Sequence, residues 1–181
     1  MLTFEQQQTL LSFARQAIAE ELSNVKAIAL KDPAFLQKAG VFVSLHKNGV
    51  LRGCIGYAKA YKSIADSVYE MAKSAAFEDP RFPKLSLAEL AKIDLEISIL
   101  GEMNKVQDIN RIRIGIDGLF LVSDYGSGLL LPQVAQEWKW DINTYFGQIC
   151  RKAGISEGLV SSGKAELYSF EAQVFGEKSS F

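Results

Sequence analysis

The stretch GVLRGCIGYA, residues 49–58, sets a thiol, a guanidinium and three glycines into a run that otherwise reads as a β-strand. Glycine weakens a strand interior and marks a bulge or a close approach of something to the backbone. Cys54 is the nucleophile candidate flanked by glycines. Arg52, two residues away, shares its face if the strand alternates regularly, and a guanidinium there would favour the thiolate. The plain alternative is a small buried cysteine that serves packing. His46 is the tempting base, but its place depends on the preceding turn. A two-residue Asn48-Gly49 loop pairs His46 with Leu51 and turns it away from Cys54, whereas a three-residue loop with a bulge brings both to one face.

Further candidates lie downstream. EDPRFP offers Glu78, Asp79 and Arg81 at the end of a helix, where they either finish the helix and its turn or lean over the Arg52–Cys54 strand to bind a polar substrate or peptide. Gln133, Glu137, Trp138 and Trp140 fall on a short helical segment, where tryptophan more often marks core or interface than catalysis. Arg111 and Arg113 alternate and read as a solvated strand face. YGSG, residues 125–128, lacks the Lys and Ser/Thr of a phosphate loop.

The elements that must position these residues follow from periodicity. Phe4, Leu10, Leu11, Ala14, Ala17, Ile18 and Leu22 recur at helical spacing behind a Thr3 cap. GVFVSLHKNGVLRGCIGYA reads as a hairpin around Asn48-Gly49. Residues 62–78 form a second amphipathic helix, ended by Pro80 because the residue before proline avoids the α region. SLAEL is a capped short helix and KIDLEISILGEM a half-buried strand. IRIGIDGLFLVSDYGSGLLLP reads as three short strands. PQVAQEWKWD and DINTYFGQICRKAG are helices begun by Pro132 and Asp141, the latter closed by Gly154. AELYSFEAQVF then closes the main sheet, which is expected to be antiparallel and built from the 41–57 hairpin, the 92–100 strand and the 165–175 strand.

Composition narrows the function classes. With 181 residues, 48% of them apolar, the chain suffices for one globular domain with two lobes. Twenty Lys and Arg against 21 Asp and Glu leave no electrostatic footprint for nucleic acid. The amino-terminal helix carries charges that neither a signal peptide nor a membrane span would hold, so a cytoplasmic protein with no membrane attachment is expected. Cys54 and Cys150 with a single His make no zinc set, and neither metal nor cofactor is expected.

LRGCIG at 51–56, DPRFP at 79–83, LEISIL at 95–100 and LLLPQVAQEWKWD at 129–141, in this order and spacing, resemble the AMMECR domain family, named for the AMME chromosomal region. The resemblance runs from the first helix to the closing FGE. It implies an α+β fold of two subdomains, a larger one with an antiparallel sheet flanked by helices and a smaller α+β lobe, with the signature strand lining a cleft. The larger subdomain is expected over 1–104 and 146–181, the smaller over 105–145. On that picture Cys54 and Arg52 supply chemistry, while Leu51, Gly53, Ile55, Gly56, Asp79, Arg81, Gln133 and Glu137 contact substrate. The resemblance carries no established activity and links the family to Memo-like and radical SAM proteins as pathway partners. Two readings follow: an enzyme acting through a cysteine on a peptide-like or small carbonyl substrate, or a binding module that captures a peptide or partner protein.

Overall fold

The computed structural model describes residues 1–23 and 25–178. The chain divides into two compact units, Met1–Ile99 with Gln173–Phe181, and Leu100–Ala172. It is a mixed α+β protein, with two antiparallel sheets and six helices among the described residues.

In the first unit, α1 (Phe4–Leu22) starts at Thr3, whose hydroxyl accepts the Gln6 N–H while the Gln6 side chain accepts the Thr3 N–H, a reciprocal cap. Its stripe of Leu10, Leu11, Ala14, Ala17 and Ile18 is buried. A 3-10 turn, Pro33–Leu36, precedes strands β1 (Gly40–Lys47) and β2 (Val50–Tyr57). Then come α2 (Ile64–Phe77), α3 (Leu87–Leu90) and β3 (Ile93–Leu100). With β8 (Ala172–Gly176) the strands form a sheet in the order β2-β1-β3-β8. Val41, Val43 and Leu45 of β1, Leu95 and Ile97 of β3, and Val68, Ala72 and Ala75 of α2 join the α1 stripe in one core. The closing FGE earns its place through Glu177: its carboxylate accepts from Arg15 Nε at 2.7 Å and from the Leu95 N–H at 2.9 Å.

The second unit contains β4 (Asn104–Lys105), a 3-10 turn Ile109–Arg111, β5 (Gly118–Ser123), β6 (Gly126–Leu130), α4 (Pro132–Glu137), α5 (Ile142–Ala153), α6 (Glu157–Ser161) and β7 (Ala165–Phe170). Its sheet runs β4-β7-β5-β6. Leu119, Leu121, Leu167, Tyr145 and Ile149 anchor a second core.

Three expectations are corrected here. AELYSFEAQVF is two strands rather than one: β7 pairs with β4 and β5, and only β8 joins the first sheet, the chain changing sheets at Glu171. The unit boundaries therefore lie near 100 and 172 rather than 105 and 145, because α5 packs its apolar face into the second core and β7 is central to the second sheet. Residues 112–117 are not a strand. Gly115 adopts a left-handed φ of 80°, the Asp117 N–H returns to the Arg113 carbonyl, and Arg113 is ion-paired with Asp117 and Glu171 rather than free in solvent. Among the described residues no helix is long and apolar enough to cross a membrane.

Candidate functional site

The signature strand β2 is an edge of the first sheet. Asn48 and Gly49, with φ of 53° and 77°, make the two-residue turn, which pairs Lys47 with Val50 and His46 with Leu51. The ladder then slips by one residue, so Leu45 faces Gly53 and Ser44 faces Cys54. Arg52 is the extra residue, and a bulge re-aims a side chain. Its guanidinium goes to Glu89, with Nε 3.3 Å from Oε1 and Nη2 3.2 Å from Oε2, and to the Pro83 carbonyl at 2.8 Å. Arg52 is 8% exposed and lies 5.9 Å from the Phe82 ring centre. Lys47 Nζ reaches the same Glu89 carboxylate at 2.9 Å. Hydrogen bonds from Lys47 and then Arg52 hold the Glu89 carboxyl down to about 2. The regular alternation that would have set Arg52 beside the thiol is thus broken at Arg52 itself.

The arginine bonded to the Cys54 residue is Arg81. Asp79 Oδ2 accepts the Cys54 N–H at 2.9 Å, and Arg81 Nη2 donates to the Cys54 carbonyl at 3.2 Å. The two side chains are forked together, Nε to Oδ1 at 2.9 Å and Nη2 to Oδ2 at 2.7 Å. Asp79 is 4% exposed, and the Arg81 hydrogen bonds hold its carboxyl far below the usual range against the cost of its burial. Arg81 keeps 55% of its side chain in solvent. DPRFP therefore closes the backbone of an edge strand at Cys54, where an open N–H and C=O would invite another strand.

Cys54 is half-buried, and the Ser44 hydroxyl donates to its Sγ at 3.2 Å. This cross-strand contact belongs to a pair whose backbone groups point away from one another, the geometry that brings side chains closest. Gly53 and Gly56 face neighbours within their own unit. A Cβ at Gly53 would sit 2.2 Å from the Ala75 carbonyl oxygen of α2, and one at Gly56 2.4 Å from the Phe42 ring and the Val41 carbonyl. Leu51 is exposed beside the turn, and Ile55 packs on the first core. Gln133 and Glu137 lie on α4 of the second unit. Among the described residues no group of His, Cys, Asp and Glu is arranged to hold a metal ion.

Sequence reasoning missed Ser44, Lys47 and Glu89. Glu89 was visible only as the residue three places after Ser86 in the SLAEL cap, a role it also fills. Ser44 needed the register, which the bulge decides.

With this geometry in hand, the relatives can be compared. A family model described as AMMECR1 matches residues 11–175. The chain belongs to the AMMECR1 family. A protein of Methanothermobacter thermautotrophicus is 42% identical, the match covering 97% of this chain and 96% of the relative. One from Methanocella arvoryzae is 39% identical over 98% and 93%. The crystal structure of the uncharacterized protein PH0010 from Pyrococcus horikoshii superposes with a TM-score of 0.88 at 33% identity, covering 98% of this chain and 94% of that one, and agrees with the fold.

Proposed function

We propose that this AMMECR1-family chain acts through Cys54, as a nucleophile or covalent carrier for a small carbonyl or peptide-like substrate. In the simplest step the thiol adds to a carbonyl carbon. The S–C bond forms, the carbonyl π pair moves to oxygen, and the thiol proton ends on that oxygen to give a hemithioacetal. The observation that supports this reading is the Ser44 hydroxyl 3.2 Å from a half-buried sulfur whose backbone is fixed on both sides. Ser44 is the group suited to relay the proton, and half-exposed Arg81 to meet the developing negative charge. No cofactor enters the step, and the reduced thiol suits a cytoplasmic setting.

A specific observation favours the second reading, a module that captures a partner such as a Memo-like or radical SAM protein. The carboxylates bonded to this strand are committed: Asp79 is ionised and forked to Arg81, and Glu89 is held by Lys47 and Arg52. Neither suits a general base. A partner would then be read by side chains, with Arg81 pairing a carboxylate, because strand addition at Cys54 is closed by Asp79 and Arg81.

Iodoacetamide labelling separates the two, with Cys150 as internal reference. Burial pushes the Cys150 thiol up to about 11. The covalent reading expects Cys54 to label far faster than Cys150 and an isotope-labelled aldehyde to give a hemithioacetal NMR signal that Cys54→Ser abolishes. Slow labelling of both thiols, with capture of a purified Memo-like protein retained in Cys54→Ser and lost in Arg81→Ala, would leave the binding module.

A further inference from the structure

The second unit holds a cavity of about 180 Å³ that owes nothing to Cys54. Its polar lining is rich in donors: Lys105, Gln107, Arg111 and Ser169, above Val106 and Ile112. The other cations of this neighbourhood are partnered, Arg113 by Asp117 and Glu171, and Lys105 by Glu166 at 2.6 Å. Arg111 is different. Among the described residues its guanidinium makes no hydrogen bond or ion pair, and the side chains of Gln107 and Ser169 likewise make no hydrogen bond. Arg111 and Gln107 are exposed and Ser169 is half-buried, so a solvent-open cavity lined by a guanidinium, an amide and a hydroxyl that make no hydrogen bond to protein offers donors to a ligand.

The walls are fixed by the backbone. Lys105 pairs with Tyr168 and Asn104 with Ser169 in the β4–β7 ladder, the Val106 N–H reaches the Leu167 carbonyl at 2.8 Å, and the Arg111 N–H reaches the Asp108 carbonyl at 3.1 Å. Ile112 is buried in the second core with Val106 packed against that core, so the floor is apolar. The one acid in the lining, Asp108, turns Oδ1 to the Asn110 backbone N–H at 3.0 Å and to its amide at 2.9 Å, and these bonds, with the nearby charge of Arg111, hold it ionised. With Lys105 paired to Glu166, the charge of Asp108 offsets that of Arg111 and opposes a highly charged ligand.

We infer that this cavity is a binding site for a small oxyanion headgroup, a carboxylate or a phosphate, received by the guanidinium of Arg111 with Gln107 and Ser169 completing its hydrogen bonds. At about 30 Å³ per water-sized group the cavity takes roughly six such groups, the scale of one headgroup and a short stem. The guanidinium fork matches the two oxygens of either anion.

NMR titration of the full chain with inorganic phosphate and, separately, with acetate tests the site and tells the two sources apart. Saturable shifts at residues 105–112 and 169, with a dissociation constant of about 1 mM, are expected for at least one probe. Sodium chloride at matched ionic strength should not reproduce them. Arg111→Gln should weaken binding tenfold or more, and Arg111→Lys should recover only part of the loss because it lacks the fork. No saturation by either probe up to about 50 mM would overturn the inference. So would saturation that Arg111→Gln leaves unchanged, or one that chloride matches.

Discussion

Replacing Gly53 by alanine tests how tightly the Cys54 strand is set against its helix. The added Cβ would lie 2.2 Å from the Ala75 carbonyl oxygen and 3.2 Å from its carbon, where an ordinary C···O contact is about 3.3 Å or more. Both atoms are backbone, so no rotamer change relieves the overlap, and strand and helix must separate by about 1 Å. Ala72, Ala75 and Ala76 are all buried on α2, and these small side chains are what let the helix come so close. Overpacking of a core costs about 1–3 kcal/mol, and a backbone clash belongs near the top of that range. Replacing glycine in a strand returns roughly 0.5–1 kcal/mol of backbone entropy, which leaves a net loss of about 2 kcal/mol. Urea denaturation at constant m reads this as a lower midpoint. The same displacement would strain the 2.9 Å Cys54 N–H to Asp79 bond, so Cys54 labelling should change in the folded protein. Gly49→Ala is the contrast: nothing lies within 4 Å of a Cβ there, and only its φ of 77° opposes the substitution. A Gly53→Ala protein within about 0.5 kcal/mol of wild type would refute the reasoning, because surface substitutions alone reach that figure.

Asp79→Ala strips the edge cap and leaves the Cys54 N–H unmet and Arg81 unpaired. With Arg81 already half in water we expect a loss of about 2–3 kcal/mol in urea denaturation, below the full cost of orphaning a buried charge, and Asp79→Asn should recover part of it by accepting the Cys54 N–H. An unchanged midpoint for Asp79→Ala would contradict the capping role. Acid should destabilise the fold in a defined window. Asp79 and Glu89 both have depressed carboxyls, so their contribution is complete above the unfolded value near 4.5 and is lost as pH falls through the folded value, about 2 for Glu89. Midpoints measured across that window should fall more steeply for wild type than for Glu89→Gln. Cys150 is 3% exposed with its thiol pushed to about 11, so it should resist iodoacetamide at neutral pH until urea unfolds the second unit; early labelling would contradict its burial.

The elements were legible where local chemistry decides them. Thr3, Asn48-Gly49, Pro132, Asp141 and Gly154 each mark a cap or turn that the structure uses. What was not legible depends on pairing at a distance. AELYSFEAQVF alternates from Tyr168 to Val174, straight across Glu171, yet its halves join different sheets, and nothing local distinguishes Glu171 from its neighbours. The sequence leaves the hairpin open between two loops; the structure takes the two-residue turn, which sets His46 opposite Leu51, and the bulge one step further on goes with Arg52 reaching Glu89, 37 residues away. The same limit applies to the glycines. GCIG reads as room for a ligand, but the space beside Gly53 and Gly56 is filled by Ala75, Phe42 and Val41.

Those glycines also explain why LRGCIG and DPRFP act as one unit although 22 residues separate them. α2 runs back along β2. At one end the Tyr57 hydroxyl bonds the Ser67 hydroxyl, and at the other Gly53 meets Ala75. The eight residues from Ser67 to Ala75 rise about 12 Å in a helix, and the four from Gly53 to Tyr57 cover about 13 Å in a strand. The two lengths match, so the helix ends level with the middle of the strand rather than beyond it. Glu78 caps α2, Pro80 prevents its continuation, and the chain turns back with Asp79 and Arg81 at the open edge beside Cys54. The surroundings of the thiol are thus set by the length of α2 and by the glycine that lets it lie close. A substitution far from the sulfur, on the small-residue face of that helix, acts on the Cys54 site through the same spacing.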